Sequence, residues 1–189
     1  MMLSLVSVSS VSDILPMYQD TPVERLLRYH NLLEPLPPST GRAEMLVGMC
    51  MDHRKYLRLP NEFAYVLRSA GGNLRGSEFQ ISYAVGVGRV SAIALLAHTD
   101  CGMVAVAEKR DAFVRGLVEW GGCTEETASR QFAEYAARHE IGDPLQFVVA
   151  EAARIQSSYP RLMVAPLLYT VEDDRLVQIT SEMALTTSV

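Results

Sequence analysis

Ala92-Ile93-Ala94-Leu95-Leu96-Ala97 is a run of six apolar residues with no polar alternation, and few local structures can hold it. It is short for a helix, and a strand wetted on one face would alternate polar with apolar residues. A strand buried on both faces accommodates it, which implies a parallel sheet covered by helices. A second run of this kind, Met45-Leu46-Val47-Gly48-Met49, delivers Cys50 at its end, and residues 92–97 deliver His98 and then Cys101. Open α/β sheets keep their chemistry at the C-terminal ends of such strands. Cys50, His98 and Cys101 are ligand types that zinc prefers, and three of them leave a fourth tetrahedral position open.

Around these two runs the chain alternates strand and helix signals. Thr21-Pro22-Val23-Glu24 is a capping box with Pro at the first helical position, predicting a helix over residues 22–34 that Pro35, Pro37 and Pro38 end. Residues 64–67 read as a second buried strand and residues 69–73, Ser-Ala-Gly-Gly-Asn, as a tight loop. Ser77 with Gln80 suggests a further cap, and the helix it opens should end near residues 86–88. Residues 103–139 carry a helical pattern broken at Gly121-Gly122, with Thr124 as a cap. Asp143-Pro144 opens another helix that stops before Pro160. Residues 162–170 and 176–179 read as two closing strands joined by the polar turn Glu172-Asp173-Asp174.

The expected fold class is therefore α/β: a mostly parallel sheet of about five strands with an antiparallel edge strand, helices on both faces, and an N-terminal helix extending from the core. Residues 1–44 form a helical arm and Pro-rich linker, and residues 45–189 a single metal-binding domain. At 189 residues the chain suits one well-developed core. A net charge of −5 without a Lys or Arg run argues against a general nucleic-acid binder. Residues 1–11 are apolar and Ser-rich but lack the charged start of a signal peptide, and no stretch could span a bilayer, so a cytoplasmic, membrane-free protein is expected. Two of three cysteines lie in the paired motif, which suits reduced thiols in a metal site better than disulfides. Cys123 has no nearby ligand and reads as inert.

Asp52 and Arg54 follow Cys50 at two-residue steps, so an extended segment would put all three on one side. A carboxylate then reaches the open metal position and a guanidinium can hold it through a charge-assisted fork. The plainer reading of that pair is a surface salt bridge. Gly71 and Gly72 are either a simple turn or a place where backbone N–H groups meet an anion such as bicarbonate. His53 should face away from Cys50 and Asp52, and His30 and His139 read as surface residues on helices. Gly86-Val87-Gly88 follows a helix signal where a nucleotide loop needs a strand.

Cys50-x-Asp52-x-Arg54 with His98-x-x-Cys101 resembles the signature of the β-class carbonic anhydrases. Arg68-Ser69-Ala70-Gly71-Gly72 is similar to a loop of that family, and His98 to Met103 resembles its short, archaeal-type branch. Residues 166–176 resemble its closing strand pair, so the likeness covers roughly residues 45–179. The chain departs from the family where Ser69 stands for the usual Asn, Ala97 for Gly or His, and Gly41 for a substrate-binding Gln, and where the span from Arg54 to Arg68 is shortened. The resemblance implies one Zn2+ per chain held by Cys50, His98 and Cys101, and a catalytic dyad of Asp52 and Arg54. It further implies reversible hydration of carbon dioxide to bicarbonate, and a homodimer or assembly of dimers. A carbon disulfide or carbonyl sulfide hydrolase on the same fold, and a catalytically weak zinc-binding structural subunit, are the alternatives.

Overall fold

The structure, a computed structural model, describes residues 3–35 and 41–181. In chain order the main elements are β1 (Leu3–Ser7), α1 (Pro22–Asn31), β2 (Met45–Cys50), β3 (Ala64–Ser69), α2 (Glu78–Gly86), β4 (Ala92–His98), α3 (Arg110–Glu119), α4 (Glu125–His139), α5 (Pro144–Ser158), β5 (Met163–Thr170) and β6 (Arg175–Ser181). The strands form one sheet in the order β1-β6-β5-β4-β2-β3. The four strands from β3 to β5 are parallel, whereas β6 runs antiparallel to β5 and β1 antiparallel to β6. The sheet is thus mostly parallel, as the apolar runs predicted, with six strands rather than about five. The added strand, β1, displaces β6 from the edge. Its pairing with β6 and the buried Gln178, which accepts from Leu15 N–H at 2.8 Å and donates to the Asp13 carbonyl at 2.9 Å, hold the N-terminal segment.

Side-chain alternation divides the core in two. Met45, Val47, Met49, Ala92, Ala94 and Leu96 pack with α1 on one face, while Leu46, Ile93, Leu95 and Ala97 pack with α2 and α5 on the other. Full burial on both faces explains why β2 and β4 read as unbroken apolar runs. The helix expected to extend from the core instead lies on it: Val23, Leu26 and Leu27 are completely buried against the sheet. Three apolar residues on one helical face give α1 a surface to bury, and the sheet of its own chain supplies the partner. Thr21 accepts from the Val23 and Glu24 amides as expected, but α1 ends at Asn31, before Leu33 turns to a φ of +59°. Pro37 and Pro38 lie outside the described residues.

Asp143 and Thr124 cap α5 and α4, whereas the Ser77 side chain makes no cap bond at α2. Residues after Cys101 remain in turns and a short 3-10 segment until α3 begins at Arg110, because Ala105 adopts a left-handed φ of +51°. No helix among the described residues is long and apolar enough to cross a membrane.

Candidate metal centre

The C-terminal ends of β2 and β4 are neighbours because their strands pair in parallel, with Met49 opposite Leu96. Cys50 shares the pleat parity of Leu46, and His98 that of Leu96, so the pleat assigns them to opposite faces. They can meet only at the rim, and there the Sγ atoms of Cys50 and Cys101 and a ring nitrogen of His98 lie within 4.8 Å of one another. All three residues are buried. His98 Nδ1 bonds the Thr99 carbonyl at 2.8 Å, which fixes that nitrogen as the donor and leaves Nε2 as the acceptor. Nε2 is buried without a hydrogen-bond partner. An orphaned imidazole nitrogen facing two sulfurs at this spacing fits a metal ion, and among the described residues no other group of this kind is brought together.

The thiols already behave as a pair. A hydrogen bond from Cys101 is the main reason the Cys50 thiol falls far below its ordinary pKa, and the same bond pushes Cys101 up. Lys55 stands beside them, only 5% exposed, with an Nζ that finds no partner. Burial pulls its pKa down, while the charges of Cys50, Asp52 and Cys101 oppose that shift.

Asp52 is not among the three clustered residues. It is held by Arg54, whose Nη2 donates to Oδ2 at 2.7 Å and Nε to Oδ1 at 3.1 Å, a bidentate fork. Those bonds hold the Asp52 carboxyl well below the usual carboxylate range. The second half of the guanidinium reaches β4's loop, donating to Asp100 Oδ2 at 2.6 Å and to the Asp100 carbonyl at 2.8 Å. Arg54 therefore ties the loop after Cys50 to the loop before Cys101. Asp100 and Lys55 were not singled out from sequence. Asp100 lies between two ligand positions, and that placement was the available signal; nothing in the sequence marks Lys55 as buried.

Gly71 and Gly72 sit at the same rim with φ of +66° and +73°. A Cβ on Gly71 would come within 2.6 Å of Ile141, and one on Gly72 would meet the Leu96 carbonyl and the Cys50 amide at 3.4 and 3.5 Å. Both positions favour glycine for conformation, and Gly71 also for close approach. His53 is exposed as expected, and so is His139. His30 is not a surface residue: it is 4% exposed, because α1 lies on the sheet and the β5–β6 turn closes over the ring. Met103, which packs with Cys50 and Cys101, also lines an apolar cavity of about 270 Å3 with Ala70, Phe113, Phe132 and Tyr135.

No family model and no curated protein sequence matches the chain. Solved structures do. A carbonic anhydrase from Glaciozyma antarctica is 22% identical over 87% of this chain and 99% of its own, with a TM-score of 0.58. A carbonic anhydrase from Streptococcus mutans is 20% identical over 88% of this chain and all of its own, with a TM-score of 0.57. The apo form of a carbon disulfide hydrolase is 18% identical over 93% and 96%, with a TM-score of 0.53. With the buried Cys-His-Cys cluster at the rim of its parallel sheet, this chain has the fold of the β-carbonic anhydrases.

Proposed function

We propose that this protein is a zinc-dependent carbonic anhydrase of the β class, catalysing the reversible hydration of carbon dioxide to bicarbonate. The observation that carries the reading is the conjunction of the Cys50, His98 and Cys101 cluster with an Asp52 already turned onto Arg54. Cys50, His98 and Cys101 would hold one Zn2+, and two sulfurs with one imidazole suit zinc better than harder divalent cations. Zinc there supplies a Lewis acid that makes water a competent nucleophile near neutral pH.

The chain's own residues supply the rest. Asp52, kept ionised by Arg54, offers an acceptor that orients the attacking water and its lone pair. Arg54 stops the carboxylate from swinging onto the cluster by engaging both of its oxygens, and Asp100 fixes Arg54 in turn. The Gly71 and Gly72 backbone, packed against the Cys50 amide and Met103, provides an edge for an anionic product. The apolar cavity beside Met103 suits a neutral, linear substrate.

Carbon disulfide or carbonyl sulfide hydrolysis is the second reading, favoured by the carbon disulfide hydrolase that covers 93% of this chain. Stopped-flow hydration of carbon dioxide, run beside carbon disulfide hydrolysis on the same metal-loaded sample, decides between them. Turnover of neither substrate with full zinc occupancy would leave a structural subunit. We further propose a cytoplasmic homodimer or assembly of dimers, the dimer supported by exposed Tyr65 and Val66 on the edge strand β3 and exposed Phe79 and Tyr83 on the neighbouring face of α2. Sedimentation as a monomer at micromolar concentration would count against it.

A further inference from the structure

The backbone that follows the Asp52–Arg54 pair has little of its own to hold it. Residues 52–59 form neither helix nor strand, and among the described residues no backbone–backbone hydrogen bond reaches them. Three alternate amides are taken by side chains instead. Arg54 N–H donates to Asp52 Oδ1 at 2.9 Å, Tyr56 N–H to the Tyr169 hydroxyl oxygen at 3.0 Å, and Arg58 N–H to His30 Nδ1 at 3.0 Å.

The two distant acceptors converge on a single residue. The Tyr169 hydroxyl donates to Asp174 Oδ1 at 2.5 Å, and His30 Nε2 bonds the Asp174 carbonyl at 2.8 Å. Tyr169 is fully buried, lies opposite His98 in the sheet register, and has its ring 6.0 Å from that of His30. His30 on α1, Tyr169 on β5 and Asp174 in the β5–β6 turn thus form a clamp on the segment. The clamp dictates a protonation state. His30 must accept at Nδ1 and donate at Nε2, so it is a neutral imidazole. A second proton would set an Nδ1–H against the Arg58 N–H.

We propose that His30 is a positioning residue: its neutral ring fixes the backbone that follows Asp52 and Arg54, and its protonation releases that backbone and loosens the pair. The charged and titratable groups facing the ring are Arg58 from the segment, Asp174 and Arg175 from the turn and β6, and Tyr169 from β5. Burial, aided by Arg58 and Arg175, keeps the imidazole neutral, and Asp174 alone favours the charged form. Tyr29, next to His30, lies 5.5 Å from the Arg58 guanidinium and holds that cation over its ring.

Amide exchange on the 15N-labelled, metal-loaded full chain tests this without substrate. As acidification converts the His30 ring to imidazolium, Arg58 should lose about tenfold of its protection, the loss of one part-buried hydrogen bond. Met51, whose amide donates to the Ser69 carbonyl at 2.9 Å, should keep its protection over the same range. His30→Asn retains an acceptor that cannot titrate, so Arg58 should stay protected throughout; His30→Ala should expose it at every pH. Unchanged Arg58 protection while the ring titrates would overturn the proposal, as would a ring that stays neutral until the protein unfolds. The link to turnover rests on the hydration reading and is read separately. His30→Asn should remove the acid limb that the wild type shows at the pH of Arg58 release, whereas a wild type that hydrates no carbon dioxide sinks that reading and leaves the clamp standing.

Discussion

The two halves of the candidate metal centre are built differently. Cys50 and His98 end strands that are buried along their whole length, and both are bonded into the sheet up to the point of chemistry. Asp52 and Arg54 stand a few residues further on, in a segment without sheet bonds, and the Arg54 side chain is 37% exposed. One half is positioned by the cooperative sheet, the other by a chain of side-chain hydrogen bonds running from Asp100 through Arg54 to Asp52. A sheet-borne ligand set tolerates no adjustment, which suits holding an ion. The dyad is held by side-chain bonds rather than by the sheet, which suits a group that must orient a reactant and release it.

Removing one of the three clustered side chains should have the largest effect. Cys101→Ala or His98→Ala leaves two protein ligands, so metal analysis after dialysis should find an empty site and turnover at background. Full occupancy in Cys101→Ala would mean that the rim cluster is not the site. Arg54→Ala attacks the other half. It frees Asp52 from its fork and should lower kcat by on the order of a hundredfold while zinc stays bound, the scale seen when groups that orient a metal site are lost. Wild-type kcat in that variant across neutral and alkaline pH would reduce the pair to a surface ion pair.

The same contrast explains what was legible in the sequence. β2, β4 and the ligands at their ends were readable because burial on both faces leaves a continuous apolar signature and the strand end fixes the next residue. The Asp52–Arg54 pairing was readable from spacing and residue type. β1 was not, since a five-residue strand takes its register from β6, at the far end of the described chain. The docking of α1 was misread because Pro35 to Pro38 suggested separation, while the contacts that seat Val23, Leu26 and Leu27 are tertiary. His30 and Lys55 were missed for a related reason: a polar residue on a helix or in a loop carries no local mark of burial.

Gly71→Ala probes the rim between the two halves and should cost stability rather than chemistry. The added methyl meets Ile141 at 2.6 Å on a backbone with φ of +66°. Strain of that kind costs about 1–3 kcal/mol, readable as a lower denaturant midpoint. If the sheet-borne ligands are as independent as their bonding implies, the variant should retain stoichiometric zinc. Loss of metal without loss of stability would show that the glycine loop belongs to the ligand half.

The smallest effect expected is on stability against acid, and it separates the halves by pH. Burial, foremost, depresses the folded pKa of His30 below its ordinary 6.5. The unfolded chain therefore takes up a proton first, and the stability contributed by neutral His30 is full above 6.5 and lost as pH falls towards the folded value. Asp52 is depressed from 3.8 chiefly by its hydrogen bonds to Arg54, so its contribution is full above 3.8 and lost as pH falls through its lower folded value. Urea midpoints measured from neutral pH downwards should decline in two stages, the first belonging to the clamp and the second including the dyad. His30→Asn should flatten the first stage and leave the second, and Asp52→Asn should weaken only the second. A single stage that responds to neither substitution would mean that other carboxylates govern acid stability, and that the side-chain bonds holding residues 52–59 contribute too little to be seen in the global transition.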